Sequence, residues 1–244
     1  MTGVRRGVAA APPHPAPEAL SGIRTVLFDL DGTLHDRTAT LRRWLAAHVR
    51  SFGLPPGYAG RFLAQDDFGY RPKSLVFPAL IEEFGLTLTA EVLMADYERA
   101  LDHAQVMPHA HEVLVALRQR GLRLGIVTNG WVEAQTVCVR HCGLSELVDD
   151  VVISRAVGLS KPDCRIFHLA LERLGGAAPT SLFVGDSPRN DIQGAQEAGL
   201  RAAYLGTGHP LGSVRPDWVL NDLRDLLGLQ GRQKAQDLSG QGRC

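Results

Sequence analysis

Side chains suited to chemistry recur at the ends of apolar runs in this chain. Val26-Leu27-Phe28 leads into Asp29-Leu30-Asp31-Gly32-Thr33, two carboxylates two residues apart closed by an Asp-Gly turn. A later apolar run ends at Thr128-Asn129-Gly130, Lys161-Pro162 follows a loop, and another run ends at Gly185-Asp186-Ser187 with Asn190-Asp191 behind it. Each alone reads as ordinary punctuation: a common turn, a surface loop, a helix cap. Together they offer carboxylates, a hydroxyl and an amine in a fixed order. In an open parallel sheet, ligands bind outside the carboxyl ends of the strands.

The elements that position these residues follow from periodicity. Strands are expected over Val26–Phe28, Leu122–Thr128, Asp150–Ile153, Ser181–Gly185 and Arg201–Leu205, with an edge strand at Trp218–Leu220. Helices are expected between them over His109–Arg120, Trp131–His141, Asp163–Leu174, Asp191–Ala198 and Asp222–Leu227. Repeated strand–helix units of this length specify a parallel sheet with right-handed crossovers. The fold class is therefore α/β, a Rossmann-like parallel core with helices on both faces.

Between the first and second strands lies a long helical stretch without strand pattern. Helices are expected over Thr40–Phe52, Ser74–Phe84 and Thr89–Ala104, each with apolar residues at helical spacing. The expected division is a tail over 1–22, a core over 23–35 and 106–229, a helical cap over 36–105, and a second tail over 230–244. Asp36 and Arg37 lie at the expected hinge. Phe68, Tyr70, Arg71 and Lys73 precede a helix and read either as a loop with a solvated basic pair or as a face toward a substrate.

Composition excludes several classes. The 26 basic and 26 acidic residues cancel, giving no general attraction to nucleic acid or an anionic membrane. No apolar run reaches the ~18–20 residues that span a bilayer. With 45% hydrophobic and 21% charged residues, the chain is ordinary for a soluble globular protein. Four cysteines are too sparse for a disulfide framework, and a reducing cytoplasm fits them. Cys138 and Cys142 share a helix face with His141 nearby, compatible with a metal pair, but they read as two small apolar core residues. Gly206-Thr207-Gly208 runs into His209-Pro210 rather than a helix, and is a loop rather than a dinucleotide site.

The four groups of polar residues, in this order, resemble the four motifs of the haloacid dehalogenase-like hydrolases over about residues 23–206. The helical insert resembles the cap of that superfamily's first subgroup. The resemblance implies that Asp29 is a nucleophile forming an aspartyl-phosphate, and that Asp31 protonates the leaving oxygen and later deprotonates water. Such a role expects Asp31 to be protonated near neutral pH, its pKa pushed upward by neighbouring carboxylates against the opposing charges of Mg²⁺ and Lys161. Mg²⁺ is implied as cofactor, held by Asp29, Asp186 and the backbone carbonyl of Asp31. Lys161 is expected to pair with nucleophile and phosphoryl group, with the Thr128 hydroxyl and the Asn129 backbone N–H donating to equatorial oxygens. Asn190 and Asp191 are expected to orient Lys161 and metal-bound water, with a helix cap the equal alternative for Asp191.

The implied activity is hydrolysis of a small phosphorylated metabolite. Nucleotidases, N-acylneuraminate phosphatases and phosphoglycolate phosphatases look alike at this level. Dehalogenases of the same core lack the second aspartate in the familiar pattern, while phosphomutases share all four motifs. A phospholigand-binding protein without activity is the remaining alternative. Oligomeric state is not legible in the sequence.

Overall fold

The computed structural model describes Leu20, residues 22–207 and residues 209–228 of the 244-residue chain. The two expected tails lie outside the described residues, apart from Leu20 and Gly22. In chain order the elements are β1 (Thr25–Phe28), α1 (Arg37–Phe52), α2 (Tyr58–Asp66), α3 (Lys73–Phe84) and α4 (Ala90–Tyr97). Next come α5 (Ala110–Gln119), β2 (Arg123–Thr128), α6 (Val132–His141), β3 (Asp150–Ile153), α7 (Ser154–Val157) and α8 (Cys164–Leu174). The chain continues through β4 (Ser181–Gly185), α9 (Gly194–Glu197), β5 (Arg201–Leu205), β6 (Trp218–Leu220) and α10 (Asp225–Gly228).

The six strands form one parallel sheet in the order β3-β2-β1-β4-β5-β6. Alternation along the strands divides their side chains between two cores. Val26, Phe28, Ile126 and Val184 pack on one face with α5 and α6, while Leu27, Val127 and Phe183 pack on the other with α8. A parallel sheet covered on both faces buries most of its strand side chains, and β1, buried at every position, contains no charge. The chain leaves β1 toward β2 and β3, then returns to β4 on the other side. β1 and β4 therefore flank the switch point, where the crevice for a ligand opens.

The helices of residues 37–97 bury a third core of their own. Trp44, Tyr58, Phe62 and Phe77 are fully buried in it, with Trp44 and Phe62 edge to face at 5.1 Å. Each such side chain contributes about 1.5–3 kcal/mol by leaving water. Two crossings join this unit to the sheet, and they run side by side: Asp36 N–H donates to Gln105 O, and Met107 N–H donates to Leu34 O, each at 2.8 Å. Asp36 also caps α1 by accepting Ala39 N–H.

Four elements differ from expectation, among them the short α7, which follows β3 directly. Helix α2 was hidden by Leu54-Pro55-Pro56-Gly57, whose turn chemistry masks Tyr58 and Phe62 one helical turn apart. Helix α4 stops at Tyr97, and a separate 3₁₀ turn spans Ala100–His103. The expected helix over Asp191–Ala198 begins instead as a wide π-type turn over Pro188–Gln193 before α9. No helix among the described residues is long and apolar enough to cross a membrane.

Candidate active site

Asp29 follows the last residue of β1, and its N–H continues the ladder to Val184 O at 2.9 Å. Lys161 reaches it from the loop before α8: Nζ lies 2.6 Å from Asp29 Oδ1 and 2.7 Å from Asp191 Oδ1, all but buried. The backbone of Lys161 is held by Asn129, whose amide donates to Lys161 O and accepts from Lys161 N, both at 2.9 Å. Asn129 thus ties the end of β2 to the lysine loop. Asp191 also accepts Ser187 N–H at 2.8 Å, so it joins the lysine to the turn after β4. Glycine is required at two of these turns. A Cβ on Gly185 would lie 2.4 Å from Asp191 Cβ, and one on Gly32 would lie 2.3 Å from Asp186 Oδ2.

Asp31 does not have the character expected of it. His35 Nδ1 donates to its Oδ1 at 2.6 Å, and Gln135 Nε2 donates to its Oδ2 at 3.0 Å. Burial raises its pKa, but the hydrogen bond and charge of His35, the charge of Arg37 and the Gln135 amide outweigh burial and lower it to about 2. His35 is correspondingly raised: burial works against its charge, and Asp31 more than restores it. The Asp31 carboxyl is thus held by two donors rather than crowded by acids. The sequence argument counted the nearby acids and had no means of seeing the histidine turn toward this one. The same Gln135 amide also donates to Thr128 Oγ1 at 2.6 Å.

These groups open into a cavity of about 370 Å³ whose far wall comes from the helical unit, including Arg37, Arg42, Phe68 and Tyr70. Phe68 lies over His209 with ring centroids 4.1 Å apart, and Tyr70 Oη is 3.1 Å from Ser187 Oγ. Asn190 donates to that same Tyr70 oxygen at 3.2 Å. Asn190 therefore faces the helical unit and does not touch Lys161, because adjacent residues of a helical turn point in different directions. The basic pair at the start of α3 is engaged within the helical unit: Lys73, half-buried, lies 2.6 Å from Asp66, and half-buried Arg71 donates to Gln65. Arg37 completes this cluster with two bonds to Asp66, at 2.6 and 2.9 Å.

Charge at the strand ends is unbalanced. Carboxylate oxygens of Asp29, Asp186 and Asp191 lie within 4.8 Å of one another, and Lys161 is the cation set between two of them. Burial, opposed by Lys161 and reinforced by Asp191, pushes Asp29 up to about 7. Burial and the charges of Asp29 and Asp191 push Asp186 to about 8. Lys161 is raised in turn, since burial is overcome by its two carboxylates. Hard oxygen donors carrying excess negative charge fit a divalent cation such as Mg²⁺. Among the described residues Asp29 keeps Oδ2 for it, with Oδ1 held by Lys161, and Asp186 keeps Oδ1, with Oδ2 accepting from Thr207 at 3.3 Å, whereas Asp191 is engaged through both oxygens by Lys161 and Ser187. Among the described residues no hydrogen bond uses the Asp31 carbonyl, which leaves it available to the same ion.

The family model of a haloacid dehalogenase-like hydrolase matches residues 23–199, spanning every residue named at the strand ends. The chain belongs to the haloacid dehalogenase-like hydrolases. A phosphoglycolate phosphatase of Yersinia pestis is 33% identical over 228 residues, covering 88% of this chain and 96% of that protein. A phosphoserine phosphatase of Thermus thermophilus is 36% identical over 152 residues, 61% of this chain and 60% of that relative's length. The solved HAD-hydrolase YfnB of Bacillus subtilis, bound to magnesium, superposes with a TM-score of 0.72 at 26% identity, covering 84% of this chain and 96% of that one.

In this haloacid dehalogenase-like hydrolase the structure brings Asp29, Asp31, Thr128, Asn129, Lys161, Asp186, Asn190 and Asp191 to one cavity. Sequence reasoning missed His35 and Gln135. His35 follows the first motif by two residues, and Gln135 faces the Gly130 turn, where a Cβ would clash with it at 2.9 Å. Cys138 and Cys142 are buried core residues, as read. The histidine beside them is His35 rather than His141, and both its ring nitrogens are engaged, by Asp31 and Thr40. His141 instead bonds Leu101 O. That cluster does not fit a metal.

Proposed function

We propose that this hydrolase is a Mg²⁺-dependent phosphomonoesterase that acts on a small phosphorylated metabolite through an aspartyl-phosphate on Asp29. The observation that carries this reading is the buried bridge of Lys161 between Asp29 and Asp191, beside Asp186, at the floor of a cavity sized for a small molecule. Lys161 holds Asp29 Oδ1, and among the described residues no side chain hydrogen-bonds Oδ2. Oδ2 attacks phosphorus, the bond to the ester oxygen breaks, and the leaving alkoxide takes a proton from the Asp31 carboxyl. The phosphate dianion beside Asp31 provides the charge that draws this proton onto its carboxyl. Asp31, again a carboxylate, then deprotonates the water that cleaves the acyl phosphate and restores Asp29. Lys161 and Thr128 meet the phosphoryl oxygens, where charge sits in the transition state. Mg²⁺ held by Asp29, Asp186 and the Asp31 carbonyl would neutralise that charge further.

Residues 36–105 act as a cap on a core of 23–35 and 106–229. The Tyr70 contact to Ser187 and the Phe68–His209 stack support this, since they set the helical unit over the cavity. A covered site favours small esters over phosphoproteins. Phosphoglycolate and phosphoserine, named in the relatives, each carry a carboxylate beside the phosphate. Exposed Arg42 on the cavity wall, unpaired among the described residues, suits such a group. Balanced charge and sparse cysteines support a cytoplasmic enzyme with no nucleic-acid or membrane partner.

Phosphate release from nucleoside monophosphates, sugar phosphates and phosphoglycolate, with and without Mg²⁺, tests the reading. Turnover that requires Mg²⁺ and disappears in Asp29→Asn is expected. Inertness toward every ester with every divalent ion, or halide release from a 2-haloacid instead, would overturn it.

A further inference from the structure

Asp31 is reached by a line of buried hydrogen bonds that extends well past the motif containing it. His35 is 1% exposed, and its Nδ1 meets Asp31 Oδ1 at 2.6 Å. Its Nε2 lies 2.8 Å from Thr40 Oγ1, in the first turn of α1. Thr40 Oγ1 also accepts the backbone N–H of Gln105 at 2.9 Å, on the crossing that returns to the core. His35 itself bridges to Val106 on that same crossing. One polar line therefore joins the Asp31 carboxyl to both connections of the helical unit.

Packing does not require this line. His35 lies against Cys138 and Cys142 at the edge of the apolar core, where a nonpolar residue of similar size would fill the space. Burying an imidazole and a hydroxyl costs free energy unless every donor and acceptor is met. Both ring nitrogens of His35 are met, Nδ1 by Asp31 and Nε2 by the Thr40 hydroxyl. A second buried donor, Gln135, holds the other oxygen of the same carboxyl. Two fixed donors on two oxygens leave the Asp31 carboxyl one orientation.

We propose that His35 and Thr40 are positioning residues: they set the Asp31 carboxyl for work on the leaving-group oxygen and tie that setting to the seating of α1 and the returning crossing. The proposal rests on the phosphomonoesterase reading and adds residues that act through Asp31 without touching substrate.

The test exploits leaving groups. p-Nitrophenolate departs without a proton, whereas the alkoxide of an alkyl phosphate needs one. Single-turnover and steady-state rates are compared for p-nitrophenyl phosphate and for whichever alkyl phosphate of the panel the wild type turns over fastest. His35→Leu is expected to lower the single-turnover rate of ester cleavage about 100-fold on the alkyl phosphate and less than about fivefold on the aryl phosphate. Steady-state kcat includes the Asp31-assisted hydrolysis of the common aspartyl-phosphate and falls on both where that step limits turnover. His35→Asn, whose amide nitrogen falls near Nδ1, recovers a large part of the alkyl rate. Thr40→Val, which keeps shape and removes the hydroxyl, lowers the alkyl rate about 3- to 10-fold. Equal losses of the single-turnover cleavage rate on both substrates, a change in KM alone, or no loss overturns the proposal. If His35→Leu does not fold, His35→Asn and Thr40→Val decide by the same alkyl-to-aryl ratio. A wild type inert on both esters removes the phosphatase reading itself, while an active wild type with variants blind to the leaving group removes only the positioning role.

Discussion

Lys161 Nζ stands 2.6 Å from Asp29 Oδ1 across 132 residues of chain, and no other contact does more to define the floor of the cavity. Replacing Lys161 by Met leaves two buried carboxylates uncompensated. Activity is expected to fall at least about 10²–10³-fold. Stability should drop by about 3–5 kcal/mol, read from urea unfolding. Unchanged turnover would detach the lysine from the chemistry.

Asp186 is the carboxylate that Lys161 does not touch; Thr207 donates to its Oδ2 at 3.3 Å and His209 Nε2 lies 3.6 Å from the same oxygen, and its Oδ1 is expected to meet a cation from solution. At about 100 times its Kd, Mg²⁺ should raise the unfolding midpoint by about 5–10 °C in calorimetry. Asp186→Asn should abolish most of that rise along with activity, and an undiminished rise would place the ion elsewhere.

Asp66 sits between Arg37 and Lys73 inside the helical unit. Burial raises its pKa, but the hydrogen bond and charge of Arg37 and those of Lys73 hold it below the usual carboxylate range. A carboxyl lowered by folding contributes stability above its unfolded value of about 3.9 and loses it as pH falls through the lower folded value. Asp66→Asn should therefore cost about 3–5 kcal/mol near pH 7, with wild type and variant converging as acid is added below pH ~4. A gap independent of pH would contradict this.

Tyr70 joins the helical unit to the turn after β4 through one hydroxyl shared with Ser187 and Asn190. Tyr70→Phe keeps the ring and removes those bonds. A fall in kcat/KM of about 2- to 10-fold is expected, with the unfolding midpoint barely moved.

Arg42 offers a test of substrate class. Arg42→Gln should raise KM about 2- to 5-fold for phosphoglycolate, as suits one exposed ion pair, and leave KM for a sugar phosphate unchanged. An equal change on both would remove the carboxylate contact.

Much of the framework was legible in the sequence. β3, β4, β5 and β6 begin and end where expected, because the buried length of a strand in a covered sheet selects apolar residues, with the charges of Asp150 and Arg201 confined to the first positions of β3 and β5. Asp29, Thr128, Lys161 and Asp186 share one cavity because each ends or follows a strand of a single parallel sheet. Helix α2 and the wide turn at Pro188–Gln193 were less legible, since Pro and Gly signals there compete with the apolar spacing.

The sequence by itself determined an α/β chain with a helical insert and acidic residues gathered at one sheet edge, since strand and helix periods are local and survive in one dimension. Only the tertiary structure decided the ionisation of Asp31, the entry of His35 and Gln135, and the turning of Asn190 toward Tyr70. Those outcomes depend on distances of a few ångströms between elements far apart in the chain, and the energy of a buried charge changes with every neighbour at that range.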